Sequence, residues 1–269
     1  MLRFSGAGVS DVGLVREHNE DSGFVGPYVA LVADGVGGAA AGEIASATAA
    51  YVVSATALAR FGEEPETIVR AAVAAARTVL RRGVLEEDSR TGMATTLSVL
   101  VCDGRRVLLG HLGDSRVYLF RDGTLHQVSR DHTYVQALVD EGRLSRDEVP
   151  FHPWRNVVLR SLDGSPGAES ADADLVDVDA RPGDRMLLCS DGLTDLVPED
   201  RIAAVLQLQD PLSAARVLTQ SALCAGGRDN VTCVVLDLVD GPLVVGDGHL
   251  LGAVRDVTNI VDPGAVRLG

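Results

Sequence analysis

The sequence contains no uninterrupted run of 18 apolar residues, the length a membrane-crossing helix needs. Its opening, MLRFSGAGVSDVG, lacks the apolar stretch and cleavage pattern of a secretory leader, so a cytoplasmic protein is expected. Cysteine is scarce. Cys102, Cys189, Cys224 and Cys233 form no CxxC, which argues against a zinc knuckle or a thioredoxin-like site. Buried, reduced thiols are the expectation for all four. Positive charge is also in short supply: Lys+Arg 24 against Asp+Glu 38 leaves a formal net charge of −14. Nucleic acid and anionic membrane, which need a basic footprint, are therefore not the expected partners. With no lysine available, the glycines after Asp34 cannot form a GxxxxGK[ST] phosphate loop, and they do not match GxGxxG either. GxSxG is missing, which removes a serine hydrolase of that type.

What remains is ample material for a core. Of 269 residues, 46% are hydrophobic and 23% charged, which excludes a wholly disordered chain. One domain is expected over residues 1–240, followed by an extension of unknown role at 241–269. Residues 28–33 (YVALVA) read as a strand, and the alanine-rich stretch 42–60 as a helix. A second helix is expected over 65–82, where Ile68, Val69, Ala72, Val73 and Ala76 keep helical spacing. The runs TTLSVLVCD, RRVLLGHLGD and SRVYLFRDG are punctuated by Asp-Gly and Gly-Asp-Ser, so they read as a meander of three antiparallel strands. A short helix at 134–141 and a surface flap at 150–166 follow. Strands are expected at 174–178, 184–190 and 231–239, and helices at 199–208 and 211–225. Paired helices with grouped antiparallel strands suit an α+β layered sandwich, sheets inside and helices outside.

The carboxylates are unevenly placed. Asp34-Gly35 closes one apolar run, Asp114 follows Gly113 between two others, Asp191-Gly192 closes a fourth, and Asp229-Asn230 opens a fifth. Any one of these is explained by turn chemistry. Four, each joined to a buried strand, can meet at one rim, where they would repel unless cations lay between them. A set made of Asp, peptide carbonyls and water favours hard octahedral ions, Mg²⁺ or Mn²⁺. His18, His111 and His132 flank these segments and leave a mixed site open, although a lone histidine beside a strand is more often a hydrogen-bonded structural residue. The stretch Arg16-Glu17-His18-Asn19-Glu20-Asp21 is either a surface salt-bridge cluster or a guanidinium set to hold a phosphoryl group, whose oxygens its fork matches. Two hard cations with one arginine suggest phosphate-ester hydrolysis.

These residues resemble the metal-dependent serine/threonine protein phosphatases of the PP2C (PPM) family in their compact bacterial form. The matching segments, in the family's order, are Arg16-x-x-Asn19-Glu20-Asp21, Val32 to Gly38 (VADGVGG), Gly92 to Thr96 (GMATT), Gly113-Asp114-Ser115-Arg116, Asp131-His132, Leu188 to Gly192 (LCSDG) and Gly226 to Asn230 (GGRDN). The resemblance implies an α-β-β-α four-layer sandwich with two central antiparallel sheets and a binuclear Mn²⁺ or Mg²⁺ centre. In that scheme Asp34 bridges the two metals, the Gly35 carbonyl completes one shell, and Asp191 and Asp229 hold the other metal. Glu20 acts through water, Asp114 matches an acid that helps hold a weaker third metal, Arg16 binds phosphate, and Asp21 and Asn230 stand behind the ligands. The implied reaction is hydrolysis of phosphoserine and phosphothreonine on proteins by a metal-bridged hydroxide, opposing Ser/Thr kinases. Val36 stands where eukaryotic members carry a histidine, so the proton for the leaving group must come from elsewhere, from metal-bound water or from His18. The flap between Asp131 and Arg160 is expected beside the site. Two alternatives are a catalytically inactive PP2C-like binding module and a phosphatase dedicated to one regulatory phosphoprotein.

Overall fold

The computed structural model describes residues 1–36, 41–164, 172–244, 246 and 248–264. Gly37, Gly38, residues 165 and 166 of the expected flap with 167–171 after them, and the last five residues lie outside the described residues. In chain order the elements are β1 (Leu2–Asp11), β2 (Asp21–Val25), β3 (Val29–Val36), α1 (Gly42–Ala59), α2 (Pro65–Glu86), β4 (Ala94–Thr95), β5 (Leu97–Cys102), β6 (Val107–Leu112), β7 (Arg116–Arg121) and β8 (Thr124–Gln127). They continue with α3 (Tyr134–Asp140), β9 (Leu162–Asp163), β10 (Asp174–Val178), β11 (Arg185–Cys189), α4 (Asp191–Thr194), α5 (Glu199–Val205), α6 (Pro211–Cys224), β12 (Val231–Asp240) and β13 (His249–Gly252).

Two antiparallel sheets form the middle of the molecule. One has the order β1-β12-β11-β7-β8, and the other runs β10-β6-β5-β3-β2-β13 with β4 and β9 attached. Strand side chains alternate between faces, and here both faces are buried. Ala30 and Val32 of β3 join Leu100, Leu109, Met186, Leu188 and Val234 in the core between the sheets. Val29 and Leu31, on the other face of β3, pack under the helices with Ala49, Val53, Ile68 and Val73. Cys233 and Val235 of β12 likewise turn outward to Ala214, Leu218 and Ala222 of α6. The result is the four-layer α-β-β-α sandwich expected from the sequence. Helix α1 is almost all small residues and is buried on most sides, so it can lie close to the sheet. Helix α2 starts on Pro65, whose missing N–H costs nothing in a first turn. Among the described residues no helix is long and apolar enough to cross a membrane.

Two expectations need correction. The three middle strands are not one meander: β5 and β6 pair as a hairpin, whereas β7 crosses to the other sheet and pairs with β11 and β8. The crossing is made at Gly113, whose φ of 103° is open to glycine and strained for other residues. Its N–H donates to His132 Nδ1 and its carbonyl accepts from the His132 N–H, so its polar groups point away from any hairpin. The next hairpin is β7–β8, closed by Asp122 and Gly123, both with positive φ. The second correction is Cys224. It is exposed at the end of α6, on the face turned from the sheet, while the other three cysteines are buried and all four are free.

The described part of the flap is a short 3-10 turn, Arg146–Phe151, followed by irregular chain that leaves Phe151, Trp154, Val157 and Leu159 exposed. The segment after β12 packs back on the sandwich. Strand β13 pairs with β2, Gly252 opposite Ser22. Val254 and Ile260 are buried against α1, Tyr51 donates to Pro263 O at 2.8 Å, and Arg82 reaches Asp262 at 2.7 Å.

Candidate active site

Strand ends converge at one end of the sandwich. Asp34 closes β3, Asp191 follows β11 and opens α4, Asp229 precedes β12, Asp114 sits on the corner between β6 and β7, and Glu20 precedes β2. Together with Arg16, Gly35, Asn156, Val158 and Asn230, their side chains and backbone line one cavity of about 190 Å³. The backbone around each acid is pinned. Asp34 N–H donates to Thr96 Oγ1 at 2.9 Å, and Thr95 Oγ1 and Thr96 N–H both donate to Asp34 O. Ser190 N–H donates to Thr232 O, which draws the start of α4 onto the first turn of β12. The approach is so close that a Cβ on Gly192 would collide with Asn230 O.

Asn230 is the staple of the N-terminal loop. Its Oδ1 accepts from Glu20 N–H at 2.7 Å, and its Nδ2 donates to Val12 O and His18 O at 2.9 Å each. Asp21 lies wholly buried behind the cavity, opposite Asp34 in the β2–β3 register. Its Oδ2 accepts from Ser190 Oγ at 2.6 Å, while Oδ1 has no hydrogen-bond partner among the described residues. Arg16 Nη2 donates to Asp229 Oδ2 at 2.6 Å, so this arginine pairs across the cavity rather than with its acidic neighbours in sequence.

The electrostatics are those of acids crowded away from water. Burial, then Asp21 and Asp191, hold the Asp34 carboxyl well above the usual range. Burial followed by Asp191 pushes Asp114 up to about 8, and burial followed by Asp195 and Asp229 pushes Asp191 up to about 6. Asp21 is raised to about 7, mainly by burial, and Glu20 is raised by burial and Glu43. Among the described residues no three acids or imidazoles close into a ready-made ligand set, and Arg16 holds one of the carboxylates, that of Asp229. The donor set nevertheless fits hard divalent ions: all its side chains offer oxygen, one oxygen behind it is orphaned, and only added positive charge lets these acids ionise together.

The histidines lie elsewhere. His111 is buried, with Nε2–H donating to Arg130 O at 3.1 Å and Nδ1 accepting from Ser98 at 3.0 Å. His132 accepts from Gly113 and donates from Nε2 to Asp174 at 2.9 Å. Neither lines the cavity, and neither does His18, which is exposed. Sequence reasoning passed over five contributors. Thr95 and Thr96 were visible only as part of a motif, Ser190 as a serine without a base. Asn156 and Val158 of the flap carried no signal, because their position depends on how the flap folds back.

Comparison with known proteins gives one consistent answer. The sequence profile described as Protein phosphatase 2C matches residues 17–224. The chain is 43% identical over 243 residues to the serine/threonine protein phosphatase PstP of Mycobacterium tuberculosis, covering 89% of this chain and 46% of that protein. The chain thus spans about half the length of the curated relatives it matches first. The serine/threonine phosphatase stp of Listeria monocytogenes is 35% identical over 240 residues, covering 85% of this chain and 93% of that one. Among solved structures, the M. tuberculosis phosphatase PstP/Ppp superposes with a TM-score of 0.81 at 42% identity, covering 88% of this chain and 99% of that one. The catalytic domain of PstP in complex with two manganese ions gives 0.79 at 42% identity, covering 89% and 100%.

Proposed function

Because the chain belongs to the protein phosphatase 2C family, we propose that it is a metal-dependent serine/threonine protein phosphatase that removes phosphate from phosphoserine and phosphothreonine in proteins and opposes Ser/Thr kinases. The observation that carries this reading is the single cavity shared by Arg16, Asp34, Asp191 and Asp229, with Glu20 and Asp114 on its wall. Free thiols among the described residues agree with a cytoplasmic setting.

Asp34 and the Gly35 carbonyl, with Asp191 and Asp229, are the groups that would hold two Mn²⁺ or Mg²⁺ ions; Glu20 would act through water, and Asp114 toward a third ion. Such ions supply charge for the phosphate oxygens and lower the pKa of water. The rest is the chain's own work. Thr95 and Thr96 fix the Asp34 peptide, and Asn230 fixes the loop that carries Arg16 and Glu20. The Arg16 side chain is 48% exposed and reaches over the cavity, so it can exchange Asp229 for two oxygens of a phosphoryl group. No serine, cysteine or histidine lines the cavity among the described residues, which favours water as the attacking group. Asp21 and Ser190 tie β2 to β11 behind the acids and hold their spacing.

The test is phosphate release from a phosphothreonine peptide, run metal-free, with Mn²⁺ and with Mg²⁺. Release that needs metal and is lost in Asp34→Asn and Asp191→Asn is the expected result. Folded, metal-loaded protein that releases nothing from several peptides would overturn the reading.

A further inference from the structure

A second cavity, of about 440 Å³, adjoins the first and shares Asp114, Asn156 and Asp191 with it. The flap forms one wall, with Val149, Pro150 and Arg155, and Thr194, Asp195 and Arg228 stand opposite. A smaller pocket of about 190 Å³, lined by Arg155, Asn156, Asp195, Arg228 and Asp229, opens off the same place. A substrate whose phosphate sits over Asp34 therefore has a protein-walled path beside it.

The charges along that path decide what it accepts. Arg116 is spent on Asp131, with contacts of 2.9 and 2.7 Å to Oδ2. Asp114 and Asp191 face the first cavity as well as the second. Arg155 meets Asp195 only at 3.7 Å, too far for a hydrogen bond. Arg228 makes no hydrogen bond or ion pair among the described residues, although it lies one residue from Asp229. Two guanidinium groups thus stand at the exit from the site beside Asp191, Asp195 and Asp229, and neither side chain is tied down by a hydrogen bond among the described residues.

The geometry points to Arg228, with Arg155 beside it, as the specificity-determining pair that binds an anionic side chain of the substrate next to the phosphorylated residue. This inference rests on the phosphatase reading and names a feature of its substrates. A planar guanidinium is suited to a carboxylate or to a second phosphate. The overall negative field of the protein opposes acidic peptides at long range, but it acts on total charge and is screened over about 10 Å at moderate salt. The contact at Arg228 depends on where the acid is.

Phosphothreonine peptides of equal net charge separate the two effects. In one set a single Glu is placed at each position within three residues of the phosphothreonine; in its isomer the same Glu lies at the far end. A second arm replaces Glu by phosphoserine and tells a carboxylate from a phosphate. The expected result is a kcat/KM higher by about three- to tenfold for one register over its isomer. That ratio falls to about one in Arg228→Ala and is partly restored in Arg228→Lys, which keeps the charge without the fork. Each protein's rate on p-nitrophenyl phosphate normalises any effect on the first cavity. Trp154, the one tryptophan of the chain, lies on the flap beside Arg155 and reports peptide binding by its fluorescence in the Asp34→Asn protein. A gain in either arm supports the inference, and the larger gain identifies the anion. Equal rates and equal binding for all isomers, or a preference that survives Arg228→Ala, overturn it. If the unaltered protein cleaves no phosphate ester at all, the phosphatase reading fails, and the fluorescence titration still decides the role of Arg228.

Discussion

Strands β11 and β12 lie side by side through the middle of one sheet, and their two ends are opposite in character. At one end Arg185, at 9% exposure, holds Asp237 through Nε at 2.6 Å and Nη2 at 2.9 Å, and its remaining N–H groups donate to Leu206 O, Leu208 O and Gln209 O. Every charge there has its opposite and every donor an acceptor. At the other end Asp191 and Asp229 join Asp34 and Asp114 around a cavity with one exposed arginine among them. A fold that can build a closed ion pair about 20 Å away along the same strands, by a rise of about 3.4 Å per residue, leaves this end open. The open end is the one that needs an outside partner.

Four experiments break or sharpen the contrast. The largest effect belongs to Asp34→Asn, which is expected to cut metal-dependent phosphate release by about a thousandfold and to abolish the rise in melting temperature that Mn²⁺ gives the unaltered protein. The metal-free variant is expected to be at least as stable as the parent, since one of the repelling acids is gone; a large loss of metal-free stability would mean that the rim is structural. Next is Arg185→Ala at the closed end. It strands Asp237 and three carbonyls, and denaturant unfolding is expected to show a loss of about 3–5 kcal/mol with the normalised Mn²⁺ response unchanged.

The third experiment uses a buried base in place of buried acids. Burial, then His132, pushes His111 down to about 4. The folded protein thus refuses a proton that the unfolded chain accepts below about 6.5. Its contribution is intact above that pH and is lost as pH falls toward 4. Thermal unfolding of the parent should steepen through that window, and His111→Gln should flatten the slope. The smallest effect is expected from Arg106→Ala. Arg106 gathers Glu64, Glu66, Asp103 and Asp177, yet the group is largely in water, and its removal should leave both melting temperature and phosphate release unchanged within error.

Much of this was legible in the residues. Short continuous apolar runs and an alanine-rich segment marked the layers, because a strand buried on both faces and a helix rich in small residues leave plain composition signals. Asp-Gly at the ends of apolar runs marked where acids would gather. The crossing at Gly113 was not legible, since Gly-Asp-Ser between two β runs reads the same whether the chain turns back or changes sheet. The difference lies in His132, far along the sequence, which takes both polar groups of Gly113. Strand β2 was hidden because Asp21, Ser22 and Gly23 look like loop, although they are buried. Arg228 could not be told from any surface arginine until its lack of a partner was seen beside Asp229.

The placement of β13 bears on how the molecule is made. β2 is formed early in the chain, but the strand that covers its outer edge comes some 230 residues later. While the polypeptide is being synthesised, the edge of β2 from Ser22 to Val25 waits with its outward backbone N–H and C=O groups unpaired, a ready template for a strand from another nascent chain. The strand that closes this sheet edge is thus made only after every other strand of the sandwich, and a chain cut between β12 and β13 would carry that sticky edge for its whole life.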